Sequence, residues 1–453
     1  MPKLTRHYDL ELTTLSPLHI GSGRELLRDY DFVARDRRTW RIDEDALLDA
    51  ALGEGEFDEA LLRRPAAELL QPSDFGPDSK LFRYTIPGTP SAASPGSKVV
   101  EQIKNVFDQP YLPGSSLKGA LRTLLAWGIH DAEKRKPNLT HLDGRSKRPA
   151  HTIEQGLFGQ GPNSDWLRAL RVRDSVPLSA GDHLALHTVR VYPTAGRDGS
   201  GLDVDVEAIK PDTTLRAQIT LENYGFESAE AAKLGWQGQR RWIKELPLLG
   251  KKYAQQRLLT EAAYFKSHGG PAGALRFYDE LVNRLLNLPE DTFLLQVGWG
   301  AGWETKTLGS SLLRQDDGQF ERLLSKYRMT KEQNRLPGDP FPRSRHLALV
   351  NGRPALPMGW IQVRISGLEA TPVSESLPKP EGAAPGQRTG RLKKFFSGKG
   401  FGFIQPDGGG RDIFVHASGL VGPATELREG QRLSFDVEQA AKGPRAINAR
   451  VIK

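Results

Sequence analysis

The chain has no cysteine among its 453 residues. That absence excludes disulfides, thiolate zinc sites, iron–sulfur clusters and a cysteine nucleophile together. No apolar run approaches the length that spans a bilayer, and the start MPKLTRHYDLEL lacks both the apolar stretch and the small-residue cleavage site of a signal peptide. A cytoplasmic protein without a membrane partner is expected. Histidines are few and scattered. His183 and His187 are four apart in a stretch with strand alternation, which separates them by roughly 13 Å and prevents them from sharing a metal. No cofactor or metal is expected.

What is present describes a soluble, ordered protein. Hydrophobic residues at 38% and charged residues at 26% supply real cores without wholesale disorder. The length exceeds what one core usually supports, so two or three domains are expected. The net charge of +8 is unevenly placed: from Gly390 onward there are eleven Lys and Arg against six Asp and Glu, a surplus of five, leaving 52 against 49 before it. A compact basic segment is the footprint of a module that neutralises phosphates, although positive tails also serve simply as solubilisers.

The segment TPVSESLPKPEGAAPGQRT, Thr371 to Thr389, has four prolines and no aromatic residue, and reads as an extended linker. Before it, strand and helix patterns are mixed, which predicts an α+β body. Tyr8, Leu10 and Leu12 alternate with polar residues as in a half-buried strand that runs into the loop SPLHIGSG. Leu184 and Leu186, then Val189 and Val191, then Leu215, Ala217, Ile219 and Leu221 repeat that alternation with turn residues between them, as adjacent antiparallel strands do. Ile361, Val363 and Ile365 form another strand. Between them, 229–287 reads as several helices with glycine-containing breaks.

In PYLPGSSLKGALRTLLAW, Pro113 and Gly114 make a turn, Ser115 or Ser116 caps, and Leu117, Ala120, Leu121, Leu124 and Leu125 follow the spacing of an amphipathic helix. Lys118 and Arg122 fall off the apolar face near the positive end of the dipole, where a phosphate binds naturally; the alternative is a solvated charged face. The loop GWGAGWETKT does not fit the GxxxxGK[ST] spacing, which argues against a nucleoside triphosphatase.

The most specific string is GRLKKFFSGKGFGFIQPDGGGRDIFVHASGL. Phe401 and Phe403 are two apart on one strand, as are Phe414 and His416 on the next, so four rings share a face. With Ile404 and Val415 supplying the inward positions, the rings point out. Gly400 and Gly402 are expected to leave that face uncluttered for stacked bases, each stack worth about 1–3 kcal/mol. Lys393, Lys394, Lys399 and Arg411 surround it with positive charge. This module resembles the cold-shock domain over 390–453, and the resemblance implies a five-stranded OB-fold barrel that binds single strands through Lys393, Lys394, Phe395, Lys399, Phe401, Phe403, Phe414 and His416. Lys394 stands where that family commonly has a tryptophan, exchanging a stacking surface for a cation.

Five further segments, LSPLHIGSG (15–23), PYLPGSSLKGALR (110–122), WLRALRVRDS (166–175), GWGAGWETKT (298–307) and FPRSRHLAL with LPMGW (341–360), together resemble the RAMP proteins of CRISPR systems. Their order and spacing are most similar to subunit five of the type III-A Csm complex. The resemblance implies a ferredoxin-like, RRM-related body with helical insertions, split as 1–225 and 226–370, then the linker at 371–389 and the barrel at 390–453. It implies a non-catalytic subunit that caps the 3′ end of the CRISPR RNA and contributes to its maturation. Its partners are then CRISPR RNA, the repeating RAMP filament subunit and the small subunit, with target RNA or host nucleases as further contacts. Guide-backbone contacts carry over to His19, Gly21, Gly23, Ser115, Ser116, Lys118, Arg122, Gly298, Gly300, Gly302 and Lys306. Two alternatives remain: a RAMP-type endoribonuclease using His19 with Asp31 or Asp29, and an RNA chaperone dominated by the cold-shock module.

Overall fold

The computed structural model describes residues 4–52, 64–133, 151–192, 202–308, 317–330, 341–368, 388–396, 401–407, 412–416, 420, 429–440 and 443–451. The chain divides into two compact units, Met1–Thr371 and Pro372–Lys453. The expected linker lies almost wholly outside the described residues. Among those residues, no helix is long and apolar enough to cross a membrane.

The first unit is built on two large sheets. One has the order β11 (Thr292–Gln296), β14 (Trp360–Ser366), β1 (Thr5–Thr14), β10 (Thr214–Glu222) and β7 (Leu170–Val172), so it takes strands from both sides of residue 225. Along β1, Tyr8, Leu10, Leu12 and Thr14 are buried while Asp9 and Glu11 are exposed, the alternation that makes a strand with one wet face. Leu12 is fully buried, and truncating it to alanine would cost about 2–5 kcal/mol. β11 is buried at every position: Phe293 and Leu295 join the larger core, Phe293 packing against Gly250 of helix Leu246–Ser267, while Leu294 joins Trp360 in the core shared by that helix and helix Ala272–Leu286.

The second sheet has the order β13 (Arg353–Pro357), β12 (Arg345–Val350), β8 (Leu184–Tyr192), β9 (Leu202–Ile209), β6 (Lys98–Gln102) and β2 (Gly21–Leu27). A small sheet, β3 (Phe32–Arg35), β4 (Arg38–Ile42) and β5 (Phe82–Pro87), completes the unit. The expected pairing of the 184–191 and 215–221 stretches is wrong. Residues 184–192 are one strand, its antiparallel partners are β9 and β12, and β10 pairs with β1 and β7 in the other sheet. Gly21 and Gly23 likewise lie in an edge strand with an irregular register, rather than in a loop. The helical region is as expected, with breaks at Gly235, Gly238 and Gly269 where φ is positive.

The second unit is a closed barrel of β15 (Arg388–Phe396), β16 (Phe401–Pro406), β17 (Ile413–His416), β19 (Gly443–Val451) and β18 (Arg432–Ala440). Its core is Leu392, Ile404, Ile413, Val415, Leu433, Phe435, Ala446 and Ala449. The α+β body with helical insertions and the OB-fold barrel are therefore both present.

Candidate nucleic-acid interface

Three distant segments of the body meet at one cleft. The 15–20 stretch is stitched down on several sides: Leu15 N–H donates to the Trp360 carbonyl at 2.8 Å, Leu18 N–H to the Ile209 carbonyl at 3.0 Å, and Ile20 N–H to Gln102 Oε1 at 2.9 Å. Trp299 N–H donates to the His19 carbonyl at 2.9 Å, which fixes the glycine-rich turn against this stretch. That approach demands glycine, because Gly298 has φ 81° and a Cβ there would sit 2.5 Å from the His19 carbonyl oxygen.

The third wall is the start of helix Gly114–Ala132. Gly114 N–H donates to Asp174 at 2.7 Å, and Leu112 N–H to Ser175 Oγ at 2.9 Å, so the WLRALRVRDS segment braces the helix entry. Between these walls lies a cleft of about 410 Å³ lined by Gly21, Ser115, Ser116, Gly119, Gly298, Trp299 and Lys306 among others. Neither serine makes a capping bond to its own helix. Lys306 is exposed, partial burial of its ammonium lowers its pKa, and it has no hydrogen-bond or ion-pair partner among the described residues.

The two other cations nominated from sequence are engaged by protein groups. Lys118 Nζ donates to the carbonyls of Leu167 at 2.9 Å and Leu170 at 2.7 Å, and burial lowers its pKa. Arg122 pairs with Asp165 at 2.7 Å and Glu154 at 3.4 Å, its guanidinium 3.9 Å from the Phe158 ring centre. His19, Gly23, Lys118, Arg122, Gly300 and Gly302 do not line the cleft. Gly300 and Gly302 instead line a cavity of about 20 Å³ with Glu261, Arg345 and His346.

On the barrel, Phe403 lies opposite Phe414 and Phe401 opposite His416 across β16 and β17, which gathers the four positions into one patch. The Phe403 and Phe414 rings meet edge to face with centroids 5.9 Å apart. Ile404 and Val415 are fully buried on the other face. Gly402 does not clear the ring face as expected. Period two puts it on the inward side, where a Cβ would come within 2.7 Å of the Phe395 ring. Phe395 is partly buried against the barrel core. Lys393 and Lys394 are exposed, Lys393 pairing with Asp412 at 2.8 Å. Gly400, Lys399, Arg411 and the side chains of Phe401 and His416 lie outside the described residues.

Comparison with known proteins agrees with both halves. A model of the RAMP superfamily matches residues 11–305. The chain belongs to the RAMP superfamily. A model of the cold-shock DNA-binding domain matches residues 388–452, and the barrel is a cold-shock domain. The CRISPR system protein Csm5 of Streptococcus thermophilus is 28% identical over 342 residues, covering 71% of this chain and 84% of that protein. The cold shock-like protein CspA of Vibrio cholerae is 54% identical over 59 residues, 13% of this chain and 84% of that one. Two solved structures share the fold of the RAMP body. One is a chain of a type III-A Csm–crRNA–target RNA ternary complex, with TM-score 0.59, 24% identity and coverage of 79% of this chain and 100% of that one. The other is the Csm5 of T. onnurineus, with TM-score 0.54, 22% identity and coverage of 78% and 99%.

Within the RAMP body, the groups weighed for acid–base chemistry are tied into structure. His19 is 1% exposed and its Nδ1 donates to the Glu207 carbonyl at 2.6 Å, with burial holding its pKa below the ordinary imidazole value. Asp31 accepts from Leu27 N–H at 2.7 Å and from Arg24 at 2.9 Å, with Arg41 at 3.6 Å. Asp29 lies 3.8 Å from its neighbour Arg28. Sequence reasoning missed Trp299 and His346. Trp299 packs edge to face against both His19, at 5.8 Å, and His346, at 4.7 Å. Both lay within quoted motifs, and the signal was an indole amid three glycines.

Proposed function

We propose that this chain is a non-catalytic RNA-binding subunit of a type III-A CRISPR ribonucleoprotein. The RAMP body holds guide-RNA backbone at the 3′ end in the Ser115–Ser116–Gly298–Lys306 cleft and caps the repeating RAMP filament there, contributing to guide maturation. The cold-shock domain stacks unpaired bases as a second grip. The observation that carries the reading is the cleft itself: three motifs distant in sequence converge on hydroxyls, glycine backbone and Lys306, a cation without a partner among the described residues. Such a surface suits backbone contacts that ignore sequence, as a subunit accepting any spacer requires. The internal bonds of His19 and Asp31 favour this reading over an endoribonuclease.

Purification of the full chain with the subunits encoded beside it tests the reading. The expected result is a particle carrying short RNAs of defined length, with those lengths unchanged in His19→Ala and Asp31→Ala. Mixed RNA bound to the chain alone would assign it to RNA chaperones. Altered lengths in either variant would restore the nuclease.

A further inference from the structure

Val106 and Phe107 are the most exposed large apolar residues among those described, at 86% and 77%, and they are adjacent. Single exposed apolar residues are ordinary; this pair is held out by a purpose-built turn. Asn105 Oδ1 accepts from both Phe107 N–H and Gln109 N–H at 3.0 Å, and Asn105 Nδ2 donates to Gln109 Oε1 at 2.9 Å. Asn105 N–H reaches the Gln109 carbonyl at 3.0 Å, and Lys104 bridges to Pro110 below. Asp108 takes φ 57° and locks the exit by a two-bond pair with Arg83, 2.8 Å each. A turn so braced loses little freedom when its side chains dock, which is what a preformed anchor needs.

The local charges select the class of partner. The cation bonded to the turn, Arg83, is neutralised by Asp108, and Lys104 at its base by Glu207 at 2.6 Å and Glu101 at 3.4 Å. A phosphate approaching either of these two cations meets a group already held by carboxylates, whereas Lys306 has no such partner among the described residues. We infer that the Asn105–Asp108 turn is a protein-docking plug, with Val106 and Phe107 seating in an apolar socket on a neighbouring protein subunit. This rests on the reading of the chain as an assembly subunit.

The test is co-purification of the full chain carrying Val106→Ser with Phe107→Ser, together with RNA binding by that chain alone. The expected result is incorporation into the particle reduced at least about tenfold, with RNA affinity and unfolding midpoint unchanged, while Phe107→Trp incorporates normally. Undiminished incorporation, or a loss of RNA affinity by the lone chain, overturns the proposal. Should the double variant unfold early, p-benzoylphenylalanine at position 107 in the assembled particle decides: a protein crosslink supports the plug, and an RNA crosslink overturns it. Failure of the wild-type chain to join any particle would instead defeat the assembly reading itself.

Discussion

Arg257 and Glu304, both buried, lie 3.1 Å apart and fasten the short helix Gly302–Lys306 to the long helix Leu246–Ser267. The pair continues through Glu261, 3.1 Å from Arg257, to Arg345 at 2.6 Å. Beside it, Tyr253 Oη donates to the Thr305 carbonyl at 3.1 Å, and Thr305 Oγ1 to Gln296 at 2.9 Å. The position of Lys306 at the cleft is therefore set by a buried polar network.

Removing one member should cost far more than removing a pair. Glu304→Ala leaves Arg257 half-compensated in a dry site and is expected to lower stability by about 3–5 kcal/mol, while Glu304→Leu combined with Arg257→Met recovers part of the loss. Urea unfolding of the single and double variants measures this, and equal losses would contradict it.

Lys306 and Lys118 should respond differently to truncation. Lys306→Ala removes one phosphate contact, so RNA affinity falls and the dependence of log affinity on log salt flattens by about 0.7 for a single strand, with the unfolding midpoint unchanged. Lys118→Ala instead strands the carbonyls of Leu167 and Leu170, at a cost of about 1–3 kcal/mol in stability. Salt titrations alongside urea melts separate the two, and a steeper slope for Lys306→Ala would contradict its assignment.

That contrast marks how far the sequence could be read. Helix Gly114–Ala132 was legible because its leucines report one buried face, and β1 because its alternation is unbroken. Which cations are spoken for was not legible, since the partners of Lys118 lie 49 and 52 residues away. β9 was legible by the same rule and was missed: Leu202, Val204, Val206 and Ala208 alternate with Asp203, Asp205 and Glu207, whose carboxylates are taken up by Arg190, Ser91 and Tyr84. Motif order located the cleft; only packing told Trp299 from the glycines beside it. On the barrel, period two already put Gly402 opposite the rings, and the expectation misjudged which face its missing side chain serves.

Acid should weaken the RAMP body through His187. Burial pushes its pKa from 6.5 down to about 4, and its Nε2 is buried with no hydrogen-bond partner among the described residues. The folded state thus refuses a proton that the unfolded chain takes up near 6.5, so stability is complete above that pH and declines as pH falls toward 4, by at most about 1.4 kcal/mol per unit from this group. His187→Leu should flatten that decline. His19 and His346 are lowered by burial too and leave a residual slope. Urea midpoints between pH 7 and about 4.5 check this, and identical profiles would remove His187 from the account.

Phe403 and Phe414 should carry affinity without carrying salt dependence. Their rings meet across β16 and β17 on the face opposite the barrel core, and neither brings a charge to the strand it stacks. Phe403→Ala or Phe414→Ala in the full chain is expected to weaken binding to a short oligouridylate by about 1–3 kcal/mol while the salt slope stays put. Gly402→Ala makes the control that a merely structural defect would resemble, because its Cβ collides with Phe395 and the Lys394 carbonyl and the barrel itself must give. If Phe403→Ala lowers the melting temperature as Gly402→Ala does and leaves affinity per folded molecule intact, the rings belong to the fold and not to the grip.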